Sequence, residues 1–439
     1  MDRGVRKAET TDSESARAAV EAVWRIEAGR LVAGLARVTG DVGLAEELAQ
    51  DALVVALEQW PVAGVPPNPA GWLMTTAKNR GIDAARRRGT YQRKLEQIGR
   101  DQEAAGSAYG AGDDLDDALD DDIGDDLLRL IFTSCHPVLS VESRVALTLR
   151  CLGGLSTSEI ARGFLVPEKT AGQRISRAKK TLTDSGVVFA MPDAGERRAR
   201  LGSVLEVVYL IFNEGYAAQA GDDWMRPALC QEALRLARLL ATLVPDDPEV
   251  HGFAALLELQ ASRIPARTGP DGEPVLLLDQ DRRRWDRTLV RRGLASLARA
   301  EELASAPGAG GPALGAYAIQ AEIAACHARA ATVAETDWRR IAALYVLLRH
   351  AWPSPVVELN RAVAVGFADG PEEGLAVVET VAGHPALAAY PQLPAVRADL
   401  LARLGRTAEA RAEYERAATL TGNARERGVY EAKARGLPA

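Results

Sequence analysis

At 439 residues the chain is long enough for two or three domains, and its apolar fraction of 47% is sufficient for their cores. The formal net charge of −7 excludes a protein that is basic throughout, but charge is distributed unevenly, so a single domain can still be basic. Aromatic residues are scarce, at 5%, while Ala and Leu are abundant, which favours helices over strands. We therefore predict an all-α protein.

Several classes of protein are excluded by missing motifs. The sequence contains no glycine-rich phosphate loop, metal-spaced cluster or nucleophile motif, so we expect no enzyme, catalytic residue, cofactor or metal site. The N-terminus lacks an apolar signal region, and no stretch is long and apolar enough to span a bilayer, so we expect a cytoplasmic protein without a membrane partner. The four cysteines are expected to be reduced and mostly buried: Cys135, Cys151, Cys230 and Cys326.

The first helical pattern runs from about residue 15 to Trp60 and is interrupted at Thr39-Gly40-Asp41. Its second helix, from Gly43 to Trp60, has an apolar stripe and an acidic edge. That edge is either solvated or a docking surface for a basic partner helix. The buried stripe is predicted as Leu44, Leu48, Ala52 and Val55, and the acidic edge as Glu46, Glu47, Gln50 and Asp51.

A loop rich in proline and glycine, Pro61 to Gly71, leads into a predicted helix from Trp72 to Arg88. Leu73, Ala77 and Ala84 share one stripe, which we expect to pack on a core. Arg neutralises phosphate, Asn can read a base edge and an aromatic ring can stack on an exposed base, so the opposite face is suited to nucleic acid. The candidate contacts are Trp72, Asn79, Arg80, Asp83, Arg86 and Arg87.

The alternative for this helix is a solvated surface in which charges only maintain solubility. In that interpretation Asp83 pairs with Arg80 or Arg87 at helical spacing.

Residues 113–126, DDLDDALDDDIGDD, contain nine aspartates. Such a block repels itself, so we expect an extended, flexible acidic linker over 91–126. It is either a soluble tether or a mimic of nucleic acid that occupies a basic channel in a partner.

Residues 127–185 predict a second compact unit with a helix-turn-helix. Ser156 and Glu159 have the spacing of a capping box, and Pro167 stands where the next helix begins. A helix with one apolar stripe and a basic remainder is what a major-groove reader requires, although any amphipathic helix pair is the alternative. The stripe is predicted as Ala171, Ile175, Ala178 and Leu182, and the candidate DNA contacts as Lys169, Thr170, Gln173, Arg174 and Arg177.

The chain from 196 to 439 is a series of Ala/Leu-rich helical patterns. The clearest unit follows Leu404-Gly405-Arg406, where small residues and Tyr414 have the spacing of the second half of a tetratricopeptide unit. Residues 264–281 are expected to form a loop because they contain Pro and Gly. We predict a helical-repeat array that offers a surface to a protein partner or to the rest of the chain.

Two stretches together resemble the extracytoplasmic-function (ECF) sigma factors of bacterial RNA polymerase. They are AEELAQDAL…W…PAGWLMTTAKNRGIDAARRR and LTLRCLGGLSTSEIARGFLVPEKTAGQRISRAKKTL, within the first 185 residues. The remainder resembles the tetratricopeptide-like C-terminal extension of one subgroup, with Phe212-Asn213-Glu214-Gly215-Tyr216 as its signature.

The resemblance implies a role for each segment. Residues 15–90 are expected to form region 2, which recognises and melts the minus-ten element through the Trp72–Arg88 helix. Glu46, Glu47, Gln50 and Asp51 are expected to bind the clamp helices of the polymerase β′ subunit. Residues 91–126 form the linker, 127–185 form region 4, which reads the minus-thirty-five element beside the β flap, and 196–439 form a regulatory domain. The alternative function is a helix-turn-helix regulator with a sensory repeat domain that does not join the polymerase.

Overall fold

The computed structural model describes residues 2–81, 119–164, 166–217, 220–221, 225–270, 272–305 and 314–438. The chain divides into two compact units, Met1–Val207 and Val208–Ala439. Within the described ranges helices dominate both units and the strands are two-residue pieces, so the all-α prediction is confirmed. No helix of these ranges has the length and apolar content needed to cross a membrane.

The described part of the first unit is built from helices. They are α1 (Asp2–Thr39), α2 (Val42–Ala63), α3 (69–81), α4 (Leu119–Ser134), α5 (Val141–Cys151), α6 (Thr157–Gly163), α7 (Glu168–Asp184) and the first part of α8 (Ala194–Tyr216).

The break predicted between α1 and α2 is confirmed, and its cause is local. Gly40 has a φ of +70°, a left-handed conformation that ends α1. Asp41 then caps α2, since its side chain accepts a hydrogen bond from the Leu44 N–H at 2.9 Å. Helix α2 buries Leu48, Ala52 and Val55 as expected, whereas Leu44, at the start of the predicted stripe, is only half-buried.

The loop expected to start at Pro61 starts later, because α2 continues through Pro61 to Ala63. A proline in the last turn removes one backbone donor, but the Gly64 N–H still closes that turn on the Trp60 carbonyl at 3.0 Å.

The prediction of an extended linker as far as residue 126 is also wrong at its end, because α4 begins at Leu119. Aspartates near a helix N-terminus are favoured by the helix dipole, which offsets part of their mutual repulsion. Asp126 is buried and lies 2.7 Å from Arg129 and 3.3 Å from Arg37 of α1. Residues 91–118 of the expected linker lie outside the described residues.

The second unit consists of successive helices packed on their chain neighbours. They are the rest of α8, α9 (Pro227–Leu243), α10 (Pro248–Ala261), α11 (Arg287–Ser305), α12 (Ala316–Arg329), α13 (Trp338–Ala351), α14 (Pro355–Ala368), α15 (Pro371–Val381), α16 (Gln392–Arg403), α17 (Thr407–Leu420) and α18 (Ala424–Gly436).

Small residues set the helix crossings of this unit. A Cβ added to Gly374 of α15 would lie 2.8 Å from the Ala362 carbonyl and from the Gly366 Cα of α14. The apolar cores lie between successive helices; one contains Leu359, Val378 and Leu400. Helix α17 buries Ala410, Tyr414 and Ala417.

Two short strands join distant parts of the second unit. Strand β1 (Ala220–Gly221) pairs in parallel with β2 (Gly422–Asn423), placing Ala220 opposite Gly422. The connection between α10 and α11 is a loop with short 3-10 turns, which include Ile264–Ala266, Leu277–Asp279 and Arg282–Arg284. This confirms the loop predicted over 264–281.

Candidate nucleic-acid interface

Helix α7 presents the surface expected of a recognition helix. Ala171, Ile175, Ala178 and Leu182 are all buried, as the spacing predicts. The candidate DNA contacts lie off this stripe: Lys169, Gln173 and Arg177 are exposed, and Thr170 and Arg174 are half-buried. Helix α7 therefore has an accessible polar surface that carries Lys169, Arg174 and Arg177.

The start of α6, the first helix of the helix-turn-helix, is fixed by two hydrogen bonds across a capping box. The Ser156 N–H donates to the Glu159 carboxylate at 2.8 Å, and the Glu159 N–H donates to the Ser156 hydroxyl at 3.2 Å. After α6, Pro167 occupies the N-cap of α7, where its missing N–H costs no helical bond. The predicted helix-turn-helix is thus present as α6 and α7.

Helix α3 places a second basic surface next to two tryptophans. Leu73 and Ala77 are fully buried, which confirms the predicted stripe as far as the structure describes it. Asn79 and Arg80 are exposed, and the half-buried Trp72 ring meets Trp60 edge to face at 5.6 Å between centroids. The predicted contacts Asp83, Arg86 and Arg87, and Ala84 of the stripe, lie outside the described residues.

Arg80 lies 3.5 Å from the Asp51 carboxylate of α2. Both side chains are about half exposed, so a phosphate can compete with this weak surface pair.

The acidic edge of α2 divides into an exposed and a buried part. Glu47 and Asp51 are exposed, and Gln50 is half-buried. Glu46, by contrast, is only 3% exposed and pairs with Arg150 of α5 at 2.7 Å and with Lys179 of α7. The contact predicted between Glu46 and a partner therefore requires Glu46 to leave both ion pairs.

Arg150 and Lys179 are residues that sequence reasoning missed. Lys179 lies four residues after Ile175 and three before Leu182, on the edge of the buried stripe, and this position is the signal that was available. Its partner on α2 could not be read from the chain, because 133 residues separate Lys179 from Glu46.

A second contact joins α1 to the turn before α6. The Trp24 indole N–H donates to the Gly154 carbonyl at 2.8 Å in a buried position. Gly154 has a φ of +64°, and an added Cβ would lie 3.0 Å from the Ala28 Cβ. The α1–α2 and α5–α7 elements therefore pack together within the first unit.

The chemistry of the cysteines is that of buried structural thiols. All four are free and buried, as expected. Burial raises the pKa of the Cys135 thiol to about 11 and that of Cys151 to about 12, so both are protonated at neutral pH. Among the described residues no group of three His, Cys, Asp or Glu side chains is placed to hold a metal ion.

The Phe212–Tyr216 signature forms a packed cluster at the end of α8. The Phe212 and Tyr216 rings stack at 5.5 Å, and Glu214 pairs with Arg226. The Arg267 guanidinium lies 3.7 Å from the Tyr216 ring centroid and donates to the Tyr216 carbonyl at 2.9 Å. These contacts attach the loop after α10 to the end of α8.

Three family models match separate parts of the chain. Residues 26–91 match sigma-70 region 2, residues 129–182 match sigma-70 region 4, and residues 200–301 match a family of unknown function, DUF6596. The first two matches cover α2, α3 and the helix-turn-helix, while the third covers most of α8 and continues to α11.

Two similar proteins differ in how much of the chain they cover. An uncharacterised protein of Rhizobium meliloti, R00370, is 43% identical over 394 residues, which cover 89% of each chain. The ECF RNA polymerase sigma factor SigL of Mycobacterium tuberculosis is 29% identical over 147 residues, 33% of this chain and 76% of SigL.

Proposed function

We propose that this chain directs RNA polymerase to specific promoters in the cytoplasm. It belongs to the same family as the Rhizobium meliloti protein, and it is a sigma factor of the ECF type. The observation that carries the proposal is the presence of two separate accessible basic helices, α3 and α7, in one chain. A helix-turn-helix regulator that acts without polymerase needs only one reading helix.

The minus-thirty-five element would be read by α7 in the major groove. Exposed Lys169, Gln173 and Arg177, together with Thr170 and Arg174, supply cations for phosphates and side chains for base edges. The capping box at Ser156 supports this role because it fixes the start of α6, the helix that precedes α7 in the helix-turn-helix.

The minus-ten element would be bound and opened at α3. Opening a duplex costs free energy, and a protein offsets this cost with backbone cations and with pockets or rings that hold the released bases. Asn79 and Arg80 are exposed on α3, and Trp72 lies beside them. By sequence position Asp83, Arg86 and Arg87 extend the same face.

The acidic edge of α2 would bind the β′ clamp helices of the polymerase, and region 4 would lie beside the β flap. Glu47 and Asp51 are exposed for such a contact in this structure, whereas Gln50 is partly covered. Glu46 would join them only after its pairs with Arg150 and Lys179 have opened.

The domain boundaries follow from these roles: region 2 over 15–90, a linker that ends before α4 at Leu119, region 4 from α4 to 185, and a helical domain over 196–439. The last domain would regulate the factor, through a protein partner or through contacts with the rest of the chain.

Run-off transcription with core polymerase tests the proposal. We expect initiation at defined promoters only when the protein is added. A regulator that does not join the polymerase would instead alter transcription by an existing holoenzyme and would fail to activate the core enzyme alone, and that result would contradict the proposal.

Variants then separate the two basic helices. We expect Arg174→Ala with Arg177→Ala to weaken binding to the closed promoter duplex and to reduce its salt dependence, as lost phosphate contacts do. We expect Asn79→Ala with Arg80→Ala to leave duplex binding largely intact but to reduce permanganate reactivity of the minus-ten thymines. Arg200→Ala, which breaks an ion pair on α8, is the matched control.

A further inference from the structure

The second unit contains a cavity of about 710 Å³ that the proposed function does not use. It lies between α12, α13, α14, α16 and α18, with the Leu276–Asp279 segment as part of its wall. Small-molecule sites in proteins are clefts of roughly 300–1,000 Å³, lined mostly by apolar groups with a few polar ones. The cavity has the size of such a site.

One side of the cavity is formed by three rings and a cation in successive contact. His327 meets Trp338 edge to face at 5.2 Å, and Trp338 stacks on Phe367 at 4.3 Å and 16°. The Arg403 guanidinium lies 4.5 Å from the Phe367 centroid. All four residues line the cavity, and Ile341 and Leu400 add aliphatic surface.

Of the two cations that line the cavity, Arg403 and Lys433, only Lys433 has a carboxylate partner among the described residues. Arg403 donates to the Gly366 carbonyl at 2.8 Å, and within the described ranges no carboxylate lies at ion-pair distance from it. Lys433, the other cation of the wall, is 2.6 Å from Asp399 and is neutralised there. Asp279 is the remaining carboxylate, and it is exposed on the loop.

His327 adds a polar group but no charge. Burial, together with nearby Arg263 and Arg282, lowers the pKa of His327 to about 3, so the ring is neutral. Its side chain is 7% exposed, and its Nδ1 has no hydrogen-bond partner among the described residues.

The loop wall is held in place without a ligand. Arg282 donates to the His327 and Ala330 carbonyls at 2.9 Å each, which fixes the loop on the end of α12. On the other side of the loop, Glu273 pairs with Arg425 of α18 at 2.6 Å. The loop is therefore a fixed wall of the cavity, attached to α12 and to α18.

We propose that this cavity binds a small molecule that has a flat apolar ring system and one anionic group. The rings lie against the wall formed by Trp338, Ile341 and Leu400, and the anion lies at Arg403. The proposal rests on the second unit alone and does not depend on promoter recognition.

The probe is 1-anilinonaphthalene-8-sulfonate, whose rings and single sulfonate match this description, titrated into the full-length protein. We expect saturable binding at one site per chain, with increased fluorescence. N-phenyl-1-naphthylamine has the same rings without the charge and should bind more weakly. Arg403→Gln should weaken sulfonate binding about tenfold, as expected for a lost charge-assisted bond, and leave the uncharged probe unaffected.

Controls distinguish the cavity from other apolar surface. Asp279→Asn should tighten sulfonate binding, because it removes the nearby negative charge, and Arg406→Gln, on the exposed turn after α16, should change nothing. Asn360→Trp, at an exposed position of the wall, should block both probes, and Val363→Phe should do the same. Circular dichroism checks that each variant is folded.

Three results would overturn the proposal. They are non-saturable binding, binding that survives in folded Asn360→Trp and Val363→Phe, and equal binding of both probes with no effect of Arg403→Gln. Run-off transcription is measured separately, so failure of the cavity and failure of the sigma function remain distinguishable.

Discussion

The Glu46 carboxylate on α2 accepts a hydrogen bond from the Arg150 side chain on α5 at 2.7 Å, across 104 residues of sequence. Lys179 of α7 pairs with the other carboxylate oxygen. One buried acid of α2 therefore links that helix both to α5 and to the recognition helix α7.

Replacing Glu46 by Ala should destabilise the first unit by about 3 kcal/mol, because it removes the buried carboxylate shared by two poorly exposed cations. Arg150 would keep only its hydrogen bond to the Leu155 carbonyl, and Lys179 only its 3.6 Å contact with the exposed Glu47. The measurement is the first transition of urea unfolding of the full chain. Glu47→Ala is the control: that side chain is 68% exposed, so its loss should change the free energy of unfolding by less than about 0.5 kcal/mol. Equal effects of the two variants would show that the buried pairs are absent in solution.

A disulfide between α2 and α7 should trap this arrangement. A Cβ at Gly43 would lie 3.4 Å from the Lys179 Cβ, close to the separation that a disulfide spans, so Gly43→Cys with Lys179→Cys should form one. If α2 and α7 must separate for the polymerase to reach Glu46, the oxidised protein should be inactive in run-off transcription, and reduction should restore activity.

Each single cysteine variant serves as a control for the loss of Lys179 or Gly43. Full activity of the oxidised double variant would mean that the polymerase does not use Glu46 or does not require α2 and α7 to separate. The native cysteines are all buried, which limits side reactions.

Gly154→Ala should destabilise the first unit by about 2–4 kcal/mol. A left-handed Ala costs roughly 1–2 kcal/mol, and its Cβ would also meet Ala28 at 3.0 Å and the Trp24 carbonyl at 3.3 Å. Gly186→Ala provides the comparison, since Gly186 has a φ of +63° but nothing within 4 Å of the added Cβ. The loss of unfolding free energy caused by Gly154→Ala, minus the loss caused by Gly186→Ala, measures the packing of α1 on the turn at Gly154. No difference would contradict that packing.

Glu249 should make the second unit less stable as pH rises through the neutral range. Burial raises its pKa from 4.5 to about 7, although its carboxylate accepts hydrogen bonds from the Tyr317 and Ala318 N–H groups. The folded state therefore holds a proton between pH 4.5 and 7 that the unfolded state has lost, and stability falls as pH increases across this window.

Glu249→Gln should remove that slope in thermal unfolding followed from pH 4.5 to 8. The depressed pKa of His327 acts in the opposite direction, because the unfolded state takes up a proton below 6.5 that the folded state does not. The Gln variant should therefore gain stability as pH rises towards 6.5. An unchanged pH profile would contradict the assignment to Glu249.

Local patterns in the sequence predicted local structure well. The stripe of α7, the break at Gly40 and the capping box at Ser156 all depend on residues within a few positions of one another. The boundaries of α2 and α4 were less predictable. The last turn of α2 tolerates a proline because the neighbouring backbone hydrogen bonds are kept. The first turn of α4 tolerates aspartates because the helix dipole offsets part of their mutual repulsion.

The paired state of Glu46 and the cavity beside Trp338 were not predictable, because each depends on residues that are distant in sequence. Exposure of an acidic edge can be inferred from a helical pattern, but the partner that buries one member of it cannot. The cavity, likewise, is bounded by segments from residue 276 to residue 433.

The parallel pairing of Ala220 with Gly422 limits the insertion or deletion of helices in the second unit. An open solenoid gains or loses repeats at its ends, because each repeat contacts only its neighbours. Here residues near the beginning and the end of the second unit are hydrogen-bonded, so the helices between them form a closed circuit of fixed number. Duplication or deletion of one helix pair would break that pairing, so we expect such a change of length to destabilise the second unit.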